Sequence, residues 1–189
     1  VAGIFGLVVV VDVVCGPLLT LVLASPQKSR RERWIDLSLV AVIQLAALGY
    51  GLWSVFSARP VAVVFEVDRL VVVTANEVQT EQLPDAPKGM QSLPWRGVHT
   101  VSLRKPVSSE EFLKSMDQSI QGVTQAMRPS WWRPFDEALP ALDTKSKPLD
   151  ALIGKRPLQR HVLISAAANA GLPTTDLRYL PLTSTKRQD

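Results

Sequence analysis

The run "LSLVAVIQLAALGYGLWSVFSA", residues 37–58, carries no charged side chain. At about 1.5 Å of rise per residue it is long enough, as a helix, to cross a hydrocarbon core about 30 Å thick. A second run lies upstream. Residues 1–24 carry a single charge, Asp12, within "LVVVVDVVCGPLLTLVL" (residues 7–23). Two such stretches in tandem predict two transmembrane helices, at 1–25 and 37–58, folded as a hairpin. A cleaved signal peptide fits poorly, because no basic region precedes the first run.

The connector, residues 26–36, holds Lys28, Arg30, Arg31 and Arg33 against Glu32 and Asp36. An excess of Lys and Arg in a short loop places it in the cytoplasm. Trp34 and Trp53 suit the two membrane interfaces. The first span then runs outward to inward, the second returns, and residues 60–189 form an extracytoplasmic domain. In a Gram-negative cell that compartment is the periplasm. The chain opens on Val1 inside an apolar run, so a preceding N-terminal piece is expected.

Asp12 costs roughly 2.5–3.5 kcal/mol at the centre of a span, which the surrounding Val and Leu outweigh. In a simple hairpin Asp12 lies level with about residue 47, and Gln44 and Tyr50, each about a turn from that level, offer an amide and a hydroxyl able to hydrogen-bond a carboxyl. Pro17, after Gly16, leaves the Val13 carbonyl without its helical donor and favours a kink. Ala47 and Gly51, four residues apart, permit close approach of another helix. Three readings stay open for Asp12: a polar clasp within the hairpin, a contact with another membrane helix, or an ion pathway. The last is the weakest, because one acid makes no relay.

The run "VAVVFEVDRLVVVT" (residues 61–74) is β-branched throughout and predicts one long strand, or two with a bend near Asp68-Arg69. Glu66 and Asp68 share a parity and are expected to sit on a solvated face. Residues 79–95 contain Pro84, Pro87, Gly89 and Pro94 and read as a loop. "GVHTVSLRK" predicts a further strand. "SSEEFLKSMDQSIQGVTQAM" (residues 108–127) predicts a helix opened by a Ser108/Glu111 capping box. Phe112, Met116, Ile120, Val123 and Met127 form a stripe on it, expected to pack into the core. Short helical pieces are expected at 136–142 and 148–153, a helix over 157–172 between Pro157 and Gly171, and a short strand at 177–182. Leu158, Val162, Ser165 and Ala166 form the expected apolar side of that helix. The whole is a membrane-anchored α+β protein with a few strands and two or more helices.

"RPSWWRPFDE" (residues 128–137) sets Trp131, Trp132 and Phe135 between prolines. Core docking, a partner surface and a membrane-surface contact are all open to these aromatics.

The residues argue against catalysis. The two histidines, His99 and His161, have no acids at ligand spacing, so no metal site is expected. No nucleophile elbow and no phosphate-cradling glycine loop occurs. Cys15 stands alone in the apolar run, so no internal disulfide is possible. No cofactor is expected. A net charge of +4 spread over mixed-sign segments is no footprint for nucleic acid.

Residues from about 8 to 78 resemble the TfpX/TfpZ family of type IV pilin accessory proteins. The strings that carry the resemblance are Asp12 with Gly16-Pro17-Leu18-Leu19-Thr20, Asp36-Leu37, Gln44 to Leu48, Gly49-Tyr50-Gly51, Arg59-Pro60-Val61, Phe65 to Arg69 and Val73 to Glu77. Trp132 to Phe135 and Tyr179 to Leu182 are weaker echoes. The resemblance implies an inner-membrane protein of type IV pilus biogenesis, acting as a pilin-specific chaperone or assembly modulator. Its partners would be a pilin subunit and membrane lipid. It also implies a further span before Val1 and a further strand-like segment after the last Leu-Pro-Leu. In that frame Asp12, Gly16, Pro17, Gln44 and Tyr50 are candidate polar contacts in the membrane, and Ala47 and Gly51 a packing face. Trp131, Trp132 and Phe135 are candidate contacts to the pilin head. The alternatives are a membrane-anchored sensor or ligand-binding module, and a structural subunit of an envelope complex.

Overall fold

The computed structural model describes residues 29–184. The first expected span, residues 1–25, and with it Asp12, Gly16 and Pro17, lies outside the described residues. The chain divides into two units between Phe56 and Ser57.

The first unit contributes helix α1, Arg30–Ser57, 28 residues with none buried. Its apolar part matches the expected second span, but it starts seven residues earlier than expected. Arg30, Arg31, Glu32 and Arg33 are fair helix formers. They are preceded by Ser29, whose Oγ accepts from the Glu32 N–H while Glu32 Oε2 accepts from the Ser29 N–H at 2.9 Å. This reciprocal cap starts the helix inside the basic segment. By length and composition α1 can cross a membrane.

The second unit is α+β. Strands β1 (Pro60–Glu66) and β2 (Arg69–Thr74) form a hairpin, β3 (His99–Leu103) lies parallel to β1, β4 (Trp132–Pro134) pairs antiparallel with β3, and β7 (Leu182–Ser184) runs parallel to β2. The sheet order is β4-β3-β1-β2-β7. Helices α2 (Ser109–Ile120), α3 (Leu139–Lys145), α4 (Leu149–Lys155) and α5 (Arg160–Asn169) fall between strands, and β5 (Lys147–Pro148) pairs with β6 (Arg178–Tyr179).

β1 is central and buries neighbours of both parities: Val61, Ala62, Val64 and Phe65. A strand covered on both faces is continuously apolar rather than alternating. The core cluster adds Val71, Val73, Val78, Ala86, Val101, Ala126 and Trp132, with Leu83, Met90 and Leu93 of the expected loop packed against it. The Pro-rich segment 79–95 therefore covers the sheet, partly as a 3-10 helix over Thr80–Asp85.

Of three local findings, one meets an expectation and two depart. The 61–74 run divides into two strands at Val67-Asp68, next to the bend expected near Asp68-Arg69; there the Asp68 N–H donates to the Glu66 carbonyl at 2.7 Å around Val67 at φ 56°. This is a γ-turn with a β-branched residue in the left-handed region, a strain of about 1–3 kcal/mol. Glu66 is half-buried rather than solvated, and burial raises its carboxyl above the ordinary range. Third, α2 stops at Ile120 instead of running to Met127. Gly122, at φ 92°, sits just beyond its end. The Val123 N–H donates to the Gln118 carbonyl and the Gly122 N–H to Ser119, the two bonds of a Schellman cap.

The expected stripe splits: Phe112, Met116 and Ile120 on α2 are exposed, Ile120 by 82%, while Val123 and Met127, beyond its end, are half-buried and Met127 packs against the core cluster. The residue α2 buries is Ser115, at 1% exposed. Glu111, Ser115 and Gln118 fall within one narrow sector of the helix at 100° per residue, and the apolar stripe falls opposite. The same inversion recurs on α5, where Leu158 and Val162 near its start are exposed and Ala167 is buried.

Candidate functional site

The polar face of α2 meets three other segments around a cavity of about 420 Å³. β3 delivers Arg104 just past its end. The 3-10 turns Gln125–Met127 and Pro129–Trp131 deliver Arg128, Ser130 and Trp131. The 3-10 segment Thr80–Asp85 supplies Gln82. Ser108, Glu110, Glu111, Lys114, Ser115 and Gln118 complete the lining.

Two guanidinium groups lie over the Trp131 ring, Arg104 at 4.2 Å and Arg128 at 4.9 Å from its centroid. Their surroundings differ. Arg104 makes a fork to Glu111, Nη1 to Oε2 at 3.0 Å and Nη2 to Oε1 at 2.5 Å, so its charge is matched. Its backbone N–H donates to the Trp131 carbonyl at 2.9 Å, which ties the end of β3 to the aromatic turn. Glu111 also accepts from the Val107 N–H at 2.6 Å, while its own N–H donates to Ser108 Oγ at 3.1 Å. The capping box thus forms on the Ser108 side and reaches back to Val107 instead of to Ser108. The Arg104 hydrogen bond, then the Val107 N–H, lower the Glu111 pKa to about 2.

Arg128 is 4% exposed. Its Nη2 donates to Ser115 Oγ at 2.5 Å and its Nη1 to Gln118 Oε1, both neutral acceptors. Gln125 Nε2 donates to the same Ser115 hydroxyl at 2.7 Å. The Arg128 Nε has no hydrogen-bond partner among the described residues. Burial, then the Arg104 charge, lowers the Arg128 pKa, yet a guanidinium stays protonated in proteins. An unsatisfied buried donor costs about 1–3 kcal/mol, more when charged. The indole face offsets part of this, about 0.5–2 kcal/mol.

The expected site residues separate into three groups. Trp132 is fully buried and donates Nε1–H to the Ala126 carbonyl at 2.9 Å, so it is a core anchor. Trp131 is 4% exposed, a floor for the two guanidiniums. Phe135 is half-buried. Trp132 is buried in the core cluster, Trp131 is buried under the two guanidiniums, and Phe135 is the most accessible aromatic of the three. On α1, Gln44, Tyr50, Ala47 and Gly51 are all exposed. Tyr50 meets Trp53 at 6.0 Å between ring centroids, and a Cβ on Gly51 would meet nothing within 4 Å. Arg104, Ser115, Gln118 and Arg128 were not singled out from sequence. One signal was available: Ser108 and Glu111 form a cap four residues after an arginine.

Comparison with known proteins supplies the family. Over 186 residues, 98% of this chain, it is 34% identical to the fimbrial assembly protein of serogroup I from Dichelobacter nodosus, covering 72% of that protein. The chain belongs to the fimbrial assembly protein family. The serogroup E1 protein of the same organism matches over the same extent at the same identity. The protein of serogroups C1 and C2 is 46% identical over 82 residues, 43% of this chain. No protein-family model matches the chain, and no solved structure is significantly similar to it.

Proposed function

We propose that this fimbrial assembly family member is an inner-membrane accessory protein of type IV pilus biogenesis, acting on a pilin subunit as a chaperone or assembly modulator. The observation that carries the reading is the 34% identity over nearly the whole chain to proteins named for fimbrial assembly. The resemblance of residues 8–78 to the pilin accessory proteins narrows it to type IV pilin. Helix α1 serves as a membrane anchor, with its arginine-rich end in the cytoplasm and the α+β unit in the periplasm.

A pilin awaiting assembly presents an apolar helix in the membrane and a globular head outside. A protein with an apolar span and an outer domain can touch both. Asp12, Gln44 and Tyr50 are the proposed polar contacts to the pilin helix, and Ala47 and Gly51 the face that lets it approach. Phe135 is the proposed aromatic contact to the head. No residue set proposed here performs catalysis.

The test is deletion of the gene, scored for surface pili and total pilin together. Fewer pili with unchanged pilin supports an assembly role; loss of both supports a chaperone. Normal pili and normal pilin refute the proposal. Crosslinking from Gln44 and Phe135 positions to pilin then tests the contacts individually.

A second reading, a membrane-anchored ligand-binding module, is favoured by the cavity beside Arg128. It predicts a ligand-dependent phenotype without pilin dependence.

A further inference from the structure

We propose that the loop tip at Trp95 dips into the interfacial layer of the lipid bilayer and gives the α+β unit a second attachment to the membrane, an inference that rests on α1 being a membrane anchor.

The α+β unit begins where α1 stops. The Ser57 carbonyl, at the end of α1, accepts from the Asn76 N–H at 3.0 Å, and the Arg59 carbonyl accepts from the Ala75 N–H at 2.9 Å. These bonds tie the entering chain to the end of β2, and only Ala58 and Arg59 separate α1 from β1. As a helix, residues 37–57 rise about 30 Å, the thickness of a hydrocarbon core. With α1 across the membrane, Arg59 and Pro60 stand in the headgroup layer, about 5–8 Å deep.

The register places a second segment at that end of the sheet. β3 is parallel to β1 with His99 level with Ala62, one strand spacing of about 4.8 Å away. The loop that feeds β3 therefore lies at the end where Pro60 enters. His99 Nε2 donates to the Ser92 carbonyl at 3.1 Å and closes the base of this loop, while Leu93 packs against the core cluster. Gly97, at φ 75°, turns the chain into β3. What stays outside is the tip, with Trp95 82% exposed and Val98 42% exposed. Four residues link Trp95 to His99, a reach of at most about 14 Å.

The chemistry of the tip suits an interface. The other tryptophans of the unit, Trp131 and Trp132, are buried. An indole joins an apolar body to one N–H donor and prefers the depth at which acyl chains meet headgroups. Charge is not the attraction. Arg59 and Arg96 share this end with Glu77, Asp136 and Glu137, so no basic excess draws anionic lipid. The partner is the bilayer interface itself, whatever the charge of its headgroups.

Fluorescence of the full chain in phosphatidylcholine vesicles, with or without bromine on the upper part of the acyl chains, tests this. Subtracting the signal of Trp95→Phe from that of the native chain isolates Trp95, and Trp53→Phe isolates Trp53 of α1 in the same way. Both replacements keep an aromatic ring at an exposed position. Bromine is expected to dim both indoles at least about twofold, as befits residues of the interfacial belt. The same loss at Trp95 is expected when about a third of the lipid is anionic phosphatidylglycerol. Iodide in the buffer gives the converse reading, and Trp95 is expected to be shielded from it.

Quenching of Trp53 without Trp95 overturns this proposal and leaves the anchor standing. Quenching of neither overturns the anchor reading and the proposal with it. Quenching of Trp95 in anionic vesicles alone, or its full exposure to iodide, also overturns the proposal.

Discussion

Helices α1 and α2 both leave their apolar side chains uncovered, and for different reasons. α1 is uncharged from Leu37 onward and buries none of its 28 residues, so by length and composition its exposed surface suits a lipid phase. α2 has 12 residues, too few to span a bilayer, and it is amphipathic. It docks by its polar side. Glu111, Ser115 and Gln118 bond to Arg104 and Arg128, and those charge-assisted bonds outweigh what Met116 and Ile120 would gain from burial. An amphipathic pattern reports where the apolar side chains lie, not which side the fold uses.

The contrast can be broken first at α1. Leu45→Lys with Leu48→Lys is expected to make insertion less favourable by about 6 kcal/mol, near 3 per lysine at a span's centre. A translocon insertion assay on α1 reads this, and unchanged insertion would remove the lipid explanation.

The next test exchanges polarity on α2. If α2 were an ordinary amphipathic helix, Ser115→Leu would extend its core and stabilise. With the polar side inward it is expected to destabilise by roughly 3 kcal/mol, from overpacking and from the bonds Arg128 loses. The urea midpoint of the detergent-solubilised chain decides the sign.

A pH series sharpens the same face. The Glu111 pKa is about 2 in the folded chain and near 4.5 for an ordinary glutamate. A depressed carboxyl stabilises the fold above its unfolded pKa, and that contribution is lost as pH falls from about 4.5 to about 2. Glu66, raised by burial, has the opposite sign. Subtracting the thermal midpoints of Glu111→Gln from those of the native chain isolates Glu111. The difference is expected to shrink across that interval, and a flat difference would show the Arg104 fork to be without weight.

The smallest effect is expected where a core reading predicts a large one. Met116→Ser with Ile120→Ser should change stability by no more than about 0.5 kcal/mol, as for other exposed positions. A loss above about 2 kcal/mol in chemical denaturation would return the stripe to the core.

Several of these features were legible in the sequence. The 37–58 run needed only its length and lack of charge. The cap at Ser108 and the end of α5 before Gly171 were carried by single residues with one physical role each. A bend near Asp68-Arg69 was legible as one of two readings, but the γ-turn at Val67 was not, because its left-handed position holds valine, where glycine or asparagine would have announced it. The end of α2 was in view at Gly122, but the apolar spacing of Val123 and Met127 argued for continuing. The cavity was beyond reach: Gln82, Arg104, Ser115 and Arg128 come from four segments, and only the sheet and its connections bring them together.

The pairing of β2 with β7 has a consequence in time. Thr183 Oγ1 donates to the Leu70 carbonyl, two residues 113 apart in the chain. The β1–β2 hairpin closes around two residues, on a scale of microseconds. At synthesis rates of about 5–20 residues per second, β7 follows on the order of ten seconds later. Closing the longer loop also costs roughly 3 kcal/mol more. Until then the outer side of β2 is an unpaired strand edge, open to pairing by any other extended chain nearby. During each round of synthesis the nascent protein thus passes through a stage in which it is itself a client for strand protection.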